Sequence, residues 1–117
     1  MITNKFGVKP GDIYSTSWGY DETHVNFYQV TRVTAAKAEL LPIGATSVAG
    51  GVVPNPNHVR TWDVLTGINS EDPKRTKLCS VGSGYQGKPS IVLRGGRHWA
   101  YKWDGKPEYQ SDPWYGR

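Results

Sequence analysis

The sequence predicts a mainly β domain, a small antiparallel barrel of SH3-like or similar type with long loops. Three observations carry that expectation. The chain is rich in residues that suit a pleat: 11 Val, 5 Ile, 9 Thr and 14 aromatics. It is poor in the straight-chain residues that favour helices, with 5 Leu, 4 Glu, 3 Gln and 1 Met. β-branched and aromatic side chains lose χ1 freedom on a helix but pack well on a pleated surface. Turn signals also recur along the chain, at Pro10-Gly11, Gly50-Gly51, Gly95-Gly96 and Asp104-Gly105. Short strands separated by such turns read as a barrel or sandwich.

The elements follow in order. Lys9-Pro10-Gly11-Asp12 has Pro and Gly where a type II turn needs them. Ile13 to Trp18 is the first strand, stopped by Gly19. Val25 to Val33 is the second. Its parity slips, because Val25 and Phe27 share one face and Val30 lies on the other, so a bulge is expected near Gln29 or Thr31. Ala38 to Ile43 reads as a strand pairing back across the turn at 34–37. A short helix is the competing reading of Ala35–Leu41, but seven residues rarely support an isolated helix. Residues 44–58 read as a long loop, rich in Gly, Ser, Asn and Pro, and loops of that length are often functional. Val59 to Leu65 is a further strand, and Asp72-Pro73 can start one helical turn. Leu78–Val81 and Ser90–Arg94 are short apolar runs of the kind buried on both faces. Trp99, Tyr101 and Trp103 alternate with Ala100 and Lys102, giving a strand with one aromatic face that ends in a hairpin turn at Asp104-Gly105.

Length bounds the organisation. A chain of 117 residues makes one domain, 1–117, without room for a second core. With 14 Gly and 8 Pro it is loop-rich, yet 12% aromatic residues mark a folded chain rather than a disordered one. The lone Cys79 excludes an internal disulfide framework and any four-cysteine zinc site. Neither a secretory h-region nor a run of 18 apolar residues occurs, so a cytoplasmic protein without a membrane span is expected.

Charge divides the chain unevenly. Residues 1–59 are neutral overall, whereas 73–106 carry Lys74, Arg75, Lys77, Lys88, Arg94, Arg97, Lys102 and Lys106 against Asp104 alone, a net +7. Basic residues interleaved with aromatics can neutralise phosphates and stack bases. Lys74, Arg75, Lys88, Arg94 and Arg97 are therefore the candidate contacts to an anionic partner, either nucleic acid or an acidic protein surface. The bland alternative is a solvated basic face.

Catalytic and cofactor motifs fail on inspection. Gly82-Ser-Gly-Tyr-Gln-Gly-Lys88-Pro89 matches a P-loop up to Lys88. The following residue must be Ser or Thr to hold Mg²⁺, and it is Pro89. A strand follows where a phosphate site needs a helix N-terminus, so this segment reads as a hairpin loop. Cys79 lies in an apolar strand, where it behaves as a small hydrophobe. His24, His58 and His98 show no chelating spacing. No catalytic residue, metal or cofactor is expected.

The most distinctive segment is Trp18-Gly-Tyr20-Asp21-Glu-Thr-His-Val-Asn26-Phe27-Tyr28. Aromatic walls with a few fixed polar groups are what ligand pockets need. Trp18, Tyr20, Asp21, Asn26 and Tyr28, with the distal Trp103 and Asp104, form a candidate pocket. Packing alone is the competing account, with Trp18, Phe27 and Tyr28 filling a core and Asp21 with Thr23 holding a bend.

These same blocks carry a resemblance. Gly11-Asp12-Ile13 followed by Ser17-Trp-Gly-Tyr-Asp-Glu-Thr-His-Val-Asn-Phe-Tyr-Gln-Val-Thr-Arg-Val33, and the distal Ala100-Tyr-Lys-Trp-Asp-Gly-Lys-Pro107, resemble small phage- and prophage-encoded proteins of unknown function. Those share a "GDI…SWGYDQTNVNFYQV" block and a terminal "A…WDGKP" block. Glu22 and His24 stand here where that block has Gln and Asn. The resemblance covers about a third of the chain and implies a setting, a phage accessory protein in a host bacterial cytoplasm. It implies no activity. Three readings follow: a module binding nucleic acid or a nucleotide, a protein-binding inhibitor of a host factor or defence system of the anti-CRISPR kind, and a small enzyme. The enzyme ranks last because no acid–base pair stands out.

Overall fold

The strand His24–Val33 is bonded on one side to Ile13–Trp18 and on the other to Lys37–Val48, and this double pairing closes the sheet into a barrel. A computed structural model describes residues 4–18, 24–60, 63, 65–68, 76–84, 88–93 and 98–108. Their strands are β1 (Ile13–Trp18), β2 (His24–Val33), β3 (Lys37–Val48), β4 (Gly51–Val59), β5 (Lys77–Ser83), β6 (Pro89–Leu93) and β7 (His98–Lys102). The order is β2-β1-β7-β6-β5-β3-β4, antiparallel at every pairing. Six strands form the closed barrel, and β4 is an extra strand on the far half of β3. The expected small antiparallel β-barrel is present, and no helix occurs among the described residues. None is therefore long and apolar enough to cross a membrane.

The early turn forms as expected: Asp12 N donates to Lys9 O, with Gly11 at φ 93°. The expected bulge is also present, with the register shifting between Val30 and Arg32. It does not repair the parity slip at Val25, Phe27 and Val30, because there was nothing to repair. β2 is buried on both faces. Tyr28, Val30 and Val33 join Tyr14, Leu40, Ile91, Leu93 and Ala100 in the barrel interior. Val25 and Phe27 form an outer layer with Ile43 and Val52, against which Ile13, Leu41 and Trp103 pack. Absorbing Thr31 in the bulge returns Val33 to the interior, three residues after Val30.

Ala38–Ile43 is strand, as preferred. β3 pairs with β5 as far as Leu40 and with β4 from Ile43 onward. Pro42 sits where one neighbour is exchanged for the other. Its carbonyl accepts from Arg60 N, so its nitrogen also points away from β2 and the β2–β3 ladder loses no donor there.

Several expectations need correction. Residues 44–58 are not a loop: they are the second half of β3 and nearly all of β4, a hairpin turning at Ala49-Gly50. Small residues and two prolines hide the strand period, because residues 45–50 of this arm face solvent. Val52 directs its N–H and carbonyl outward to Glu108, so Pro54, two residues on, lacks a donor only toward the open edge. Such a proline blunts an edge strand against further pairing. The strand expected over 59–65 ends at Val59, and Asp63 and Ile68 bridge to each other across a tight turn at 65–67. Leu78–Val81 is not buried on both faces, since Leu78 is 37% exposed while Cys79 and Val81 face the core. Among the described residues after Asp104-Gly105, none pairs back onto β7. Glu108 bridges to Val52 of β4 instead. The helical turn considered at Asp72-Pro73 lies outside the described residues.

Both barrel ends are plugged. At the β2–β3 turn, Lys5 N donates to Ala35 O and Asn4 Nδ2 to Thr34 O, while Val8 enters the core. At the opposite end, Leu65 enters from the 63–68 turn.

Candidate functional site

β7 carries the site because of its alternation. Ala100, fully buried, faces the interior opposite Ile91. Tyr101 therefore faces outward, paired with Ser15 of β1 and Ser90 of β6. Its ring crosses the β5–β6 hairpin at Gly84. A Cβ on Gly84 would stand 2.8 Å from Tyr101 Cε1 and 2.9 Å from Ser90 Cβ, so glycine is what lets the ring settle there.

Trp103 continues the strand past β7, its N–H donating to Ile13 O. Its indole Nε1 donates to Lys106 O at 2.7 Å, and Lys106 N donates to Asp104 Oδ1 at 2.9 Å. Gly105, at φ 88°, makes that tight turn accessible. Ser15 Oγ donates to Glu108 Oε1 at 3.2 Å. Together these groups border an open groove of about 730 Å³ whose lining includes Ser15, Tyr101, Trp103 and Pro89. Lys88, Lys102, Asp104 and Glu108 supply its charges. Lys102 Nζ also lies 3.9 Å from Asp12 Oδ1, in a pair whose lysine side chain is 63% exposed. The volume is in the range of small-ligand sites. The surfaces offered are two ring-bearing walls and the Lys88 ammonium, because strand alternation sets the Lys102 side chain opposite the Tyr101 and Trp103 face, toward Asp12.

The structure draws Lys88, Trp103 and Asp104 into this groove, one from the basic set and two from the proposed pocket. It separates Asn26 and Tyr28 from them, which corrects the expected single pocket. Asn26 Nδ2 and Tyr28 OH turn inward and donate to Asp63 Oδ1 and Oδ2, each at 2.9 Å. Strand alternation is the reason: Phe27, between them, takes the outer face. Trp18 ends β1 opposite His24. Tyr20, Asp21, Lys74, Arg75, Arg94 and Arg97 lie outside the described residues.

Asp63 itself was not legible in the sequence. Its side chain is fully buried and collects further donors from Arg60 Nη2 at 3.1 Å, Thr66 N at 2.9 Å and Thr66 Oγ1 at 2.8 Å. A buried carboxylate satisfied in this way holds the 63–68 plug to the barrel. Burial first, and the Asp63 charge second, raise the Tyr28 phenol above the ordinary tyrosine range. Cys79 is buried, and burial pushes its thiol up to about 11, which suits a core residue rather than a nucleophile.

Tyr101, Lys102, Ser15 and Glu108 were also missed as site residues. The aromatic alternation from Trp99 to Trp103 was the available signal for Tyr101. Among the described residues no group of three metal-ligating side chains occurs. No protein-family model matches the chain, and no curated protein or solved structure shows significant similarity to it.

Proposed function

We propose that this chain is a non-enzymatic binding module, a phage accessory protein acting in a host bacterial cytoplasm, and that its groove takes nucleic acid or a nucleotide. One observation carries the reading: Tyr101 and Trp103 share a groove with Lys88. Aromatic faces stack any base, and ammonium groups neutralise phosphate. The two carboxylates at the groove are each engaged by the protein's own donors, Asp104 by Lys106 N and Glu108 by Ser15 Oγ. The net +7 of residues 73–106 favours an anionic ligand.

The test is binding of a labelled mononucleotide and a labelled oligothymidylate at two salt concentrations. One lysine–phosphate contact to a single strand predicts a loss of roughly two- to threefold for a fourfold rise in salt. Lys88→Ala lowers that salt dependence. Absence of binding at low salt overturns the reading in favour of a protein-binding inhibitor of a host factor or defence system.

A further inference from the structure

We infer that the groove is one end of a single-strand track along the outer face of β7, with Trp99 as the next base platform beyond it. This rests on the nucleic-acid reading and extends it. Trp99 is 47% exposed, a large apolar ring left on the surface. It shares the outer face with Tyr101, two residues along the same strand, and is paired across β6 with Val92. Alternate residues on a strand are about 6.8 Å apart. That is about twice the 3.4 Å rise of stacked bases. The spacing of Trp99, Tyr101 and Trp103 therefore suits an extended strand whose bases are unstacked, one per ring. A duplex hides its base faces in its own stack and offers these rings nothing.

The three rings also differ in preparation. Tyr101 is seated on Gly84 and Ser90, and Trp103 is tied to Lys106 and Phe27. Trp99 is the exposed member, so it adds affinity to a strand already held in the groove.

The experiment measures affinity against length, using labelled thymidine mono-, di- and trinucleotides, a hexamer and a hexamer duplex. Trp99 is exposed, so Trp99→Ala leaves the fold intact, which circular dichroism checks, and Trp99→Phe retains a ring. The expected result is a length-dependent gain of roughly tenfold or more when the strand becomes long enough to reach Trp99. Trp99→Ala removes that gain but leaves mononucleotide affinity unchanged, Trp99→Phe restores most of it, and the duplex binds weakly. A gain that survives Trp99→Ala, or duplex binding equal to single-strand binding, overturns the track while leaving the groove reading in place. Failure of every nucleotide and oligonucleotide to bind overturns both.

Discussion

The rings of Phe27 and Trp103 meet edge to face, with centroids 6.3 Å apart and planes at 81°. One residue comes from the aromatic block near the start of the chain and the other from the block near its end. The contact lies in the outer layer of the barrel, so it braces the groove wall from behind while Tyr28, the next residue, serves the interior. Edge-to-face aromatic pairs contribute about 0.5–1.5 kcal/mol beyond the area they bury.

Trp103→Ala is expected to destabilise the protein by about 1–3 kcal/mol, since it removes a half-buried ring and its hydrogen bond to Lys106 O. A double-mutant cycle with Phe27→Leu, followed by urea denaturation, should return a coupling of about 0.5–1.5 kcal/mol. Strict additivity would show that the two rings do not support each other.

Asp63→Ala is expected to cost about 3–5 kcal/mol, because it removes the buried acceptor that Arg60, Asn26, Tyr28 and Thr66 share. Tyr28→Phe removes one of the donors and should cost about 1–3 kcal/mol. Thermal or urea unfolding measures both. A cost for Asp63→Ala below that of Tyr28→Phe would mean that the carboxylate does not organise this end of the barrel.

Alkaline pH should weaken the fold. Burial, and then the Asp12 charge, push the Tyr14 phenol up to about 12, and burial raises the Cys79 thiol to about 11. Both groups keep their protons longer in the folded chain than in the unfolded one, from ordinary values of 10.0 and 9.0. Their contribution is therefore complete below about pH 9 and is lost as pH rises through 11 and then 12, by up to about 2–3 kcal/mol for each group. The urea midpoint measured from pH 8 to pH 11 should fall, with a shallower decline in Cys79→Ala. A midpoint independent of pH over that interval would contradict the burial of the thiol and phenol.

What the sequence determined by itself was local. β-branched and aromatic enrichment specified strands, and Pro10-Gly11 specified the turn before β1. Each of these is set by dihedral preference and side-chain period over a few residues. The alternation from Trp99 to Trp103 likewise marked one aromatic face of a strand. Tertiary structure decided the rest. Closure of β2 onto both β1 and β3 buried its two faces, so Tyr28 and Phe27 went to different layers and the expected pocket was divided between them. The arm at 44–58 became strand because β3 supplied it with a ladder, despite two prolines and a run of small residues. Asp63 acquired its role from Asn26 and Tyr28, 37 and 35 residues away. A buried carboxylate is tolerated only when its donors converge on it, and that convergence exists only after the barrel has closed.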